Sequence, residues 1–103
     1  MKTKENILLN VTYTTKPGRR TEFLNALTQL GVVEQSKQEF GNHRYDYYYP
    51  VDSDDQLLLV EIWENDEALA FHAQTKHYQQ LQSIKSDYLL NANIEKFYIH
   101  PCE

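Results

Sequence analysis

His72 and His77, with the carboxylate of Glu61 and the indole of Trp63 a short way upstream, are the side chains in this sequence with the most chemistry to offer. An imidazole titrates near pH ~6.5, so either histidine could accept or donate a proton at neutral pH. Each also has a plain structural use, as a buried ring that hydrogen-bonds its surroundings. The two lie five positions apart, not the three or four that stacks two ligands on one helical face, and no H-E-x-x-H is present, so no metal site is expected. Glu61 reads equally as an ion-pair partner of Arg44 across adjacent strands or as a carboxylate facing a pocket. Trp63 reads first as a core residue and second as a pocket wall. His43 at a strand start and His100 in the tail rank lower, and Cys102 beside Pro101 is assigned no role.

What is missing narrows the chemistry. There is no glycine-rich phosphate loop, no G-x-S-x-G, no cysteine ligand pair and no nucleotide fingerprint. The remaining options are acid/base steps, reactions in which the substrate itself reacts with oxygen, or binding of a group such as haem. A formal charge of −5 and a pI near 5.3 give no attraction to phosphate backbones or anionic lipid, so neither nucleic acid nor membrane is an expected partner. Lys16, Arg19 and Arg20 cluster at a helix start and read as a solvated turn. No run approaches the ~18 apolar residues of a membrane helix, and Met1 to Asn6 lacks the apolar core of a signal peptide; a cytoplasmic location is the expectation.

The elements that must position these residues follow from periodicity. At 103 residues the chain is read as one domain, with its core between about 7 and 100, small enough to gain from burying surface in a partner. Residues 7 to 14 alternate as a first strand, with Asn10 and Thr12 on the face opposite Leu9 and Val11. Lys16-Pro17-Gly18 breaks it, and a helix runs from about 18 to 38, with Gly31 marking a bend or an early end. Phe40-Gly41-Asn42 is a turn. Residues 43 to 49 form a second strand with Tyr45, Tyr47 and Tyr49 on one face and Arg44, Asp46 and Tyr48 on the other. After an acidic loop over 50 to 56, a third strand over 57 to 64 puts Leu57, Leu59, Glu61 and Trp63 on one face. Asn65 and Asp66-Glu67 suit a helix start before 68 to 73. A second helical piece spans 75 to 89, Asn91 stops it, and 92 to 100 alternates as a fourth strand. The eight tyrosines supply flat area with a polar tip, suited to a pocket or an interface.

The order βαββαβ predicts an α+β, ferredoxin-like fold, an antiparallel sheet with its helices on one face. Both faces of the third strand carry apolar residues, so a second copy of the chain is expected to cover the other.

Three segments carry a family resemblance over residues 7 to 99: TTKPGRRTEFL (Thr14 to Leu24), FGNHRYDY (Phe40 to Tyr47) and VEIWENDEALAFHAQTKHY (Val60 to Tyr78). The last is the specific one, an E-x-W followed by A-L-x-x-H and T-x-H-aromatic. In these segments the chain resembles the antibiotic biosynthesis monooxygenase family, which includes quinol monooxygenases. The resemblance implies a homodimeric α/β barrel with an apolar pocket in each subunit, oxidising a quinol or polyphenol-like aromatic with O₂ and no metal or flavin. On this reading Trp63, Tyr47, Tyr45 and Arg44 contact the substrate, His72 or His77 accepts a proton, and Asn10 and Glu61 orient the reacting groups. Many members carry cysteine where this chain has Asn42. A haem-degrading branch would place its iron ligand at Gln82, a poor ligand, and haem is therefore disfavoured. Two other readings stay open: an acid/base isomerase of a small hydroxyketone or sugar-phosphate-like metabolite using His72 and Glu61, and a non-catalytic dimeric module that binds an apolar small molecule.

Overall fold

A computed structural model of the chain describes residues 5 to 102. Its elements are β1 (Asn6–Thr15), α1 (Arg20–Leu30), α2 (Val32–Gln38), β2 (Asn42–Tyr48), β3 (Gln56–Trp63), α3 (Asp66–His72), α4 (Lys76–Tyr88) and β4 (Leu89–Ile99). The four strands form one antiparallel sheet in the order β2-β3-β1-β4, which is the ferredoxin-like arrangement.

Alternation along the strands sorts their side chains between the faces. Ile7, Leu9, Val11 and Tyr13 of β1 and Leu57, Leu59, Glu61 and Trp63 of β3 are buried under the helices. Phe23, Leu27, Val32 and Leu81 descend from the helices to meet them, each at most 2% exposed. Burying such a side chain fully is worth about 1.5–3 kcal/mol, so this layer supplies the main cohesion. The opposite face carries Leu8, Asn10 and Thr12 of β1 and Leu58, Val60 and Ile62 of β3, all half-buried, beside Phe97 of β4, which is 45% exposed.

Two boundaries differ from the sequence expectation. The helix expected over 18 to 38 is two helices, because Gly31 adopts the left-handed conformation (φ 69°) that caps α1 and restarts the chain as α2. The last strand begins at Leu89 rather than 92. Leu89 takes extended angles directly after Tyr88 and pairs with Thr15, while the Lys16 N–H donates to the Tyr88 carbonyl at 2.8 Å. Pairing with β1 therefore overrides the helical spacing of this stretch. The basic cluster at the start of α1 is also engaged: Arg20 donates to the Ser53 carbonyl at 2.8 Å and lies 4.0 Å from the Tyr49 ring centre, tying α1 to the acidic loop. No helix among the described residues is long and apolar enough to cross a membrane.

Candidate active site

Between the helix-covered face of the sheet and α3 and α4 lies a cavity of about 490 Å³, with walls that include Leu9, Val11, Tyr13, Tyr45, Leu69 and Leu81. Its polar lining includes Glu61, His72, Gln82, Lys85 and Lys96. The volume lies within the usual ~300–1,000 Å³ of small-molecule sites.

Each polar group is placed by a local feature of the chain. Glu61 reaches this face by alternation along β3, and its Oε1 accepts a hydrogen bond from Trp63 Nε1–H at 2.9 Å. His72 ends α3, a helix started by Asn65, whose side chain accepts from the Ala68 N–H at 2.9 Å. The chain then turns through Ala73 and Gln74 to Thr75, whose hydroxyl accepts from the Tyr78 N–H at 3.3 Å and so caps α4. That break changes the relation between the histidines. Because His72 and His77 sit on two helices, the one-helix spacing rule does not apply, and their ring centres lie 5.8 Å apart.

Both rings meet at one carboxylate, Glu39, which sequence reasoning passed over. Glu39 Oε2 accepts from His72 Nδ1–H at 2.7 Å and from His77 Nε2–H at 2.6 Å, while Oε1 is buried with no hydrogen-bond partner among the described residues. The same three groups set one donor atom each within 4.8 Å of one another, a spacing that a divalent cation could bridge. In this structure direct hydrogen bonds join them as a proton network. With Nδ1 committed to Glu39, the His72 Nε2 is the free base, 4.0 Å from Glu61 Oε1. The ring is held in place by Trp63 (centres 4.5 Å apart), Tyr78 (5.1 Å) and Tyr45 (5.7 Å).

The electrostatics suit proton transfer near neutral pH. Burial, only partly offset by the Trp63 hydrogen bond, pushes the Glu61 carboxyl up to about 7. Burial lowers His72 below its ordinary value, and Glu39 opposes that shift. A neutral imidazole able to take a proton therefore persists below the usual histidine midpoint.

The expected site residues divide between the two faces. Glu61, His72 and Tyr45 line the cavity. Trp63 is fully buried behind the His72 ring, and His77 lies beyond it at Glu39, so both support the site from outside the cavity. Tyr47 packs edge-on to Tyr45 at 6.0 Å and does not reach the cavity. Asn10 and Arg44 lie on the other face. The expected ion pair of Arg44 with Glu61 is absent, because the register sets Tyr45, not Arg44, opposite Glu61, and Arg44 binds Asp46 and Tyr48 instead. Tyr13, Tyr78 and Lys85 are further lining residues with polar tips that spacing alone did not single out.

The antibiotic biosynthesis monooxygenase model matches residues 6–83, a span that holds every residue of the Glu39, Glu61, Trp63, His72 and His77 cluster. The chain belongs to the antibiotic biosynthesis monooxygenase family. It is 33% identical over 89 residues to YcnE of Bacillus subtilis, a protein named provisionally as a monooxygenase; the match covers 86% of this chain and 90% of that one. Among solved structures it superposes on PA3566 of Pseudomonas aeruginosa with a TM-score of 0.86, at 25% identity over 98% of this chain and 100% of the other. A Bacteroides thetaiotaomicron protein described as a possible oxidoreductase gives 0.82, at 28% identity over 93% and 99% of the two chains. A family member from Nitrosomonas europaea gives 0.79 over 98% and 93%, at 21% identity, and so speaks for the fold alone. The family's ferredoxin-like architecture is thus the architecture found here.

Proposed function

We propose that the chain is a cofactor-independent monooxygenase that oxidises a quinol or polyphenol-like hydroxyarene with O₂. The observation that carries this reading is the Glu39–His72 dyad, which leaves His72 Nε2 unbonded at a predominantly apolar cavity, with Glu61 beside it. Family membership and the monooxygenase naming of relatives support it.

The reaction needs no outside reductant. His72 Nε2 takes the proton of a quinol hydroxyl, and the resulting imidazolium is stabilised by Glu39 on one side and Glu61 on the other. The electron-rich ring then forms a carbon–oxygen bond to O₂, and the peroxide takes up the proton held on His72. Loss of the ring-carbon proton breaks the O–O bond, forms a second carbonyl and releases hydroxide, which leaves as water. One oxygen atom ends on the ring and the other in water; all the electrons come from the quinol, which becomes a hydroxyquinone. The apolar walls orient the ring and exclude competing water.

The open sheet face, with Leu8, Leu58, Val60, Ile62 and Phe97, is the surface by which two chains pair in this reading. A homodimer would bury that apolar area.

Oxygen uptake by metal-free protein with a panel of quinols and polyphenols, alongside His72→Ala, is the test. Uptake above autoxidation that falls to background in the variant is the expected result. Solvent proton exchange into a hydroxyketone with no oxygen uptake would replace this reading with the isomerase one.

A further inference from the structure

The walls of the cavity hold two cations, and they are not equivalent. Lys96 on β4 is neutralised by Asp66, with its Nζ 3.2 Å from Oδ1. Lys85 on α4 is half-buried, and none of the ion pairs or side-chain hydrogen bonds among the described residues includes it. Its Nζ rests 5.3 Å from the centre of the Tyr13 ring, on the cavity wall.

An ammonium withdrawn from water without a counter-charge is costly. Burial lowers the Lys85 pKa, with Glu61 as the opposing influence. Glu61 is itself held up at about 7, so near neutrality it is only partly ionised and compensates Lys85 incompletely. The cavity therefore carries surplus positive charge at the Lys85 end.

We infer that Lys85 is the receptor for a carboxylate on the substrate, so that the cavity takes an acid-bearing hydroxyarene in preference to a neutral one. The inference rests on the oxidation reading for the fate of the hydroxyl, though not for the binding of the acid. The register sets the spacing. Glu61 lies opposite Leu9 and Lys85 lies over Tyr13, four residues further along β1, or roughly 13 Å at ~3.3 Å per residue. A fused bicyclic ring with its hydroxyl and its acid on different rings spans about 7–9 Å between oxygens, and a hydrogen bond of about 2.8 Å at each end brings its reach from His72 to Lys85 to roughly 13 Å. The Tyr13 and Tyr45 rings and the side chains of Leu9, Val11 and Leu81 supply the apolar contact between the two ends.

The experiment is anaerobic titration calorimetry of the full chain with 5,8-dihydroxy-2-naphthoic acid, whose acid and hydroxyls lie on different rings, and, separately, with its methyl ester, followed by oxygen uptake with each. The ester has nearly the same shape without the charge. The expected result is that the acid binds roughly tenfold or more tightly than the ester, as for a hydrogen bond to a charged group, with the difference shrinking as salt is raised. Lys85→Met should bring the acid down to the affinity of the ester, and Lys85→Arg should retain much of the preference; Lys85→Gln gives the same readout if the methionine variant does not fold. Equal affinities in the wild type, or an acid preference that survives Lys85→Met and Lys85→Gln, would overturn the inference. Lys85-dependent acid binding without oxygen uptake would uphold the subsite and count against the oxidation reading alone; ester oxidation without acid preference would do the reverse.

Discussion

The carboxylate of Glu39 and the Nδ1–H of His72, 33 residues apart in sequence, meet in a buried hydrogen bond of 2.7 Å. This contact fixes which nitrogen of His72 faces the cavity. A histidine whose Nδ1–H is held by a carboxylate presents Nε2 as a base and gains a partner for its charge once protonated.

Glu39→Gln should therefore lower the turnover number with little change in KM. The amide oxygen can still accept from both rings, but it carries no charge to stabilise the imidazolium, and the NH₂ would occupy the buried place of Oε1, which has no hydrogen-bond partner among the described residues. A loss of about 100-fold in kcat is expected, within the range seen for general-base groups, with a stability cost of about 1–3 kcal/mol. Steady-state oxygen uptake and urea unfolding check the two parts; unchanged kcat would remove Glu39 from the mechanism.

Stability should depend on pH through Glu61. Its folded carboxyl titrates at about 7 against an ordinary 4.5, so the folded chain holds a proton that the unfolded chain has released. The stability associated with the neutral acid is full below the ordinary value and is lost as pH rises through about 7, an effect on the order of 3 kcal/mol. His72, lowered by burial, acts oppositely, removing stability as pH falls below its ordinary ~6.5. Urea midpoints at about pH 5 and about pH 8 for wild type and Glu61→Gln test this. The variant should lack the loss on the alkaline side, and identical profiles would contradict it.

Trp63→Phe keeps an aromatic ring against His72 but deletes the Nε1–H donor to Glu61. Because that hydrogen bond lowers the Glu61 pKa, its loss should move the carboxyl above about 7 and shift the pH–rate profile toward alkali. A stability loss of roughly 2 kcal/mol is expected from the unpaired buried carboxylate and the smaller ring. A profile that stays in place would show that Glu61 does not shape the rate.

Gly41→Ala tests how the turn after Glu39 docks on α3. Gly41 has φ +86°, and a Cβ there would lie 2.6 Å from the Ala68 Cβ. The Gly41 carbonyl also accepts from the Glu64 N–H at 2.7 Å, so the turn cannot retreat without losing that bond. A loss of at least about 2 kcal/mol by denaturant unfolding is expected from strain plus overlap. Glycine-like stability in the variant would mean that the turn is free to move.

Much of the architecture was legible in one dimension. Alternation placed Leu57, Leu59, Glu61 and Trp63 on one face of β3, and the sheet buries all four. Asn65 was readable as a helix start because a cap depends only on residues three or four positions away. The change at Leu89 was not legible, since β4 begins there through pairing with β1, more than 70 residues earlier in the chain. The sequence by itself thus determined the order of elements, their faces and the candidacy of Glu61 and His72. The tertiary structure alone decided that Glu39 joins two histidines from separate helices, that Arg44 and Asn10 face away from the cavity, and that Lys85 overlooks it with no direct ion pair among the described residues. Periodicity encodes the side of an element on which a residue sits, whereas convergence depends on how α2, β2, α3 and α4 dock after distant loops close, and no local repeat records that.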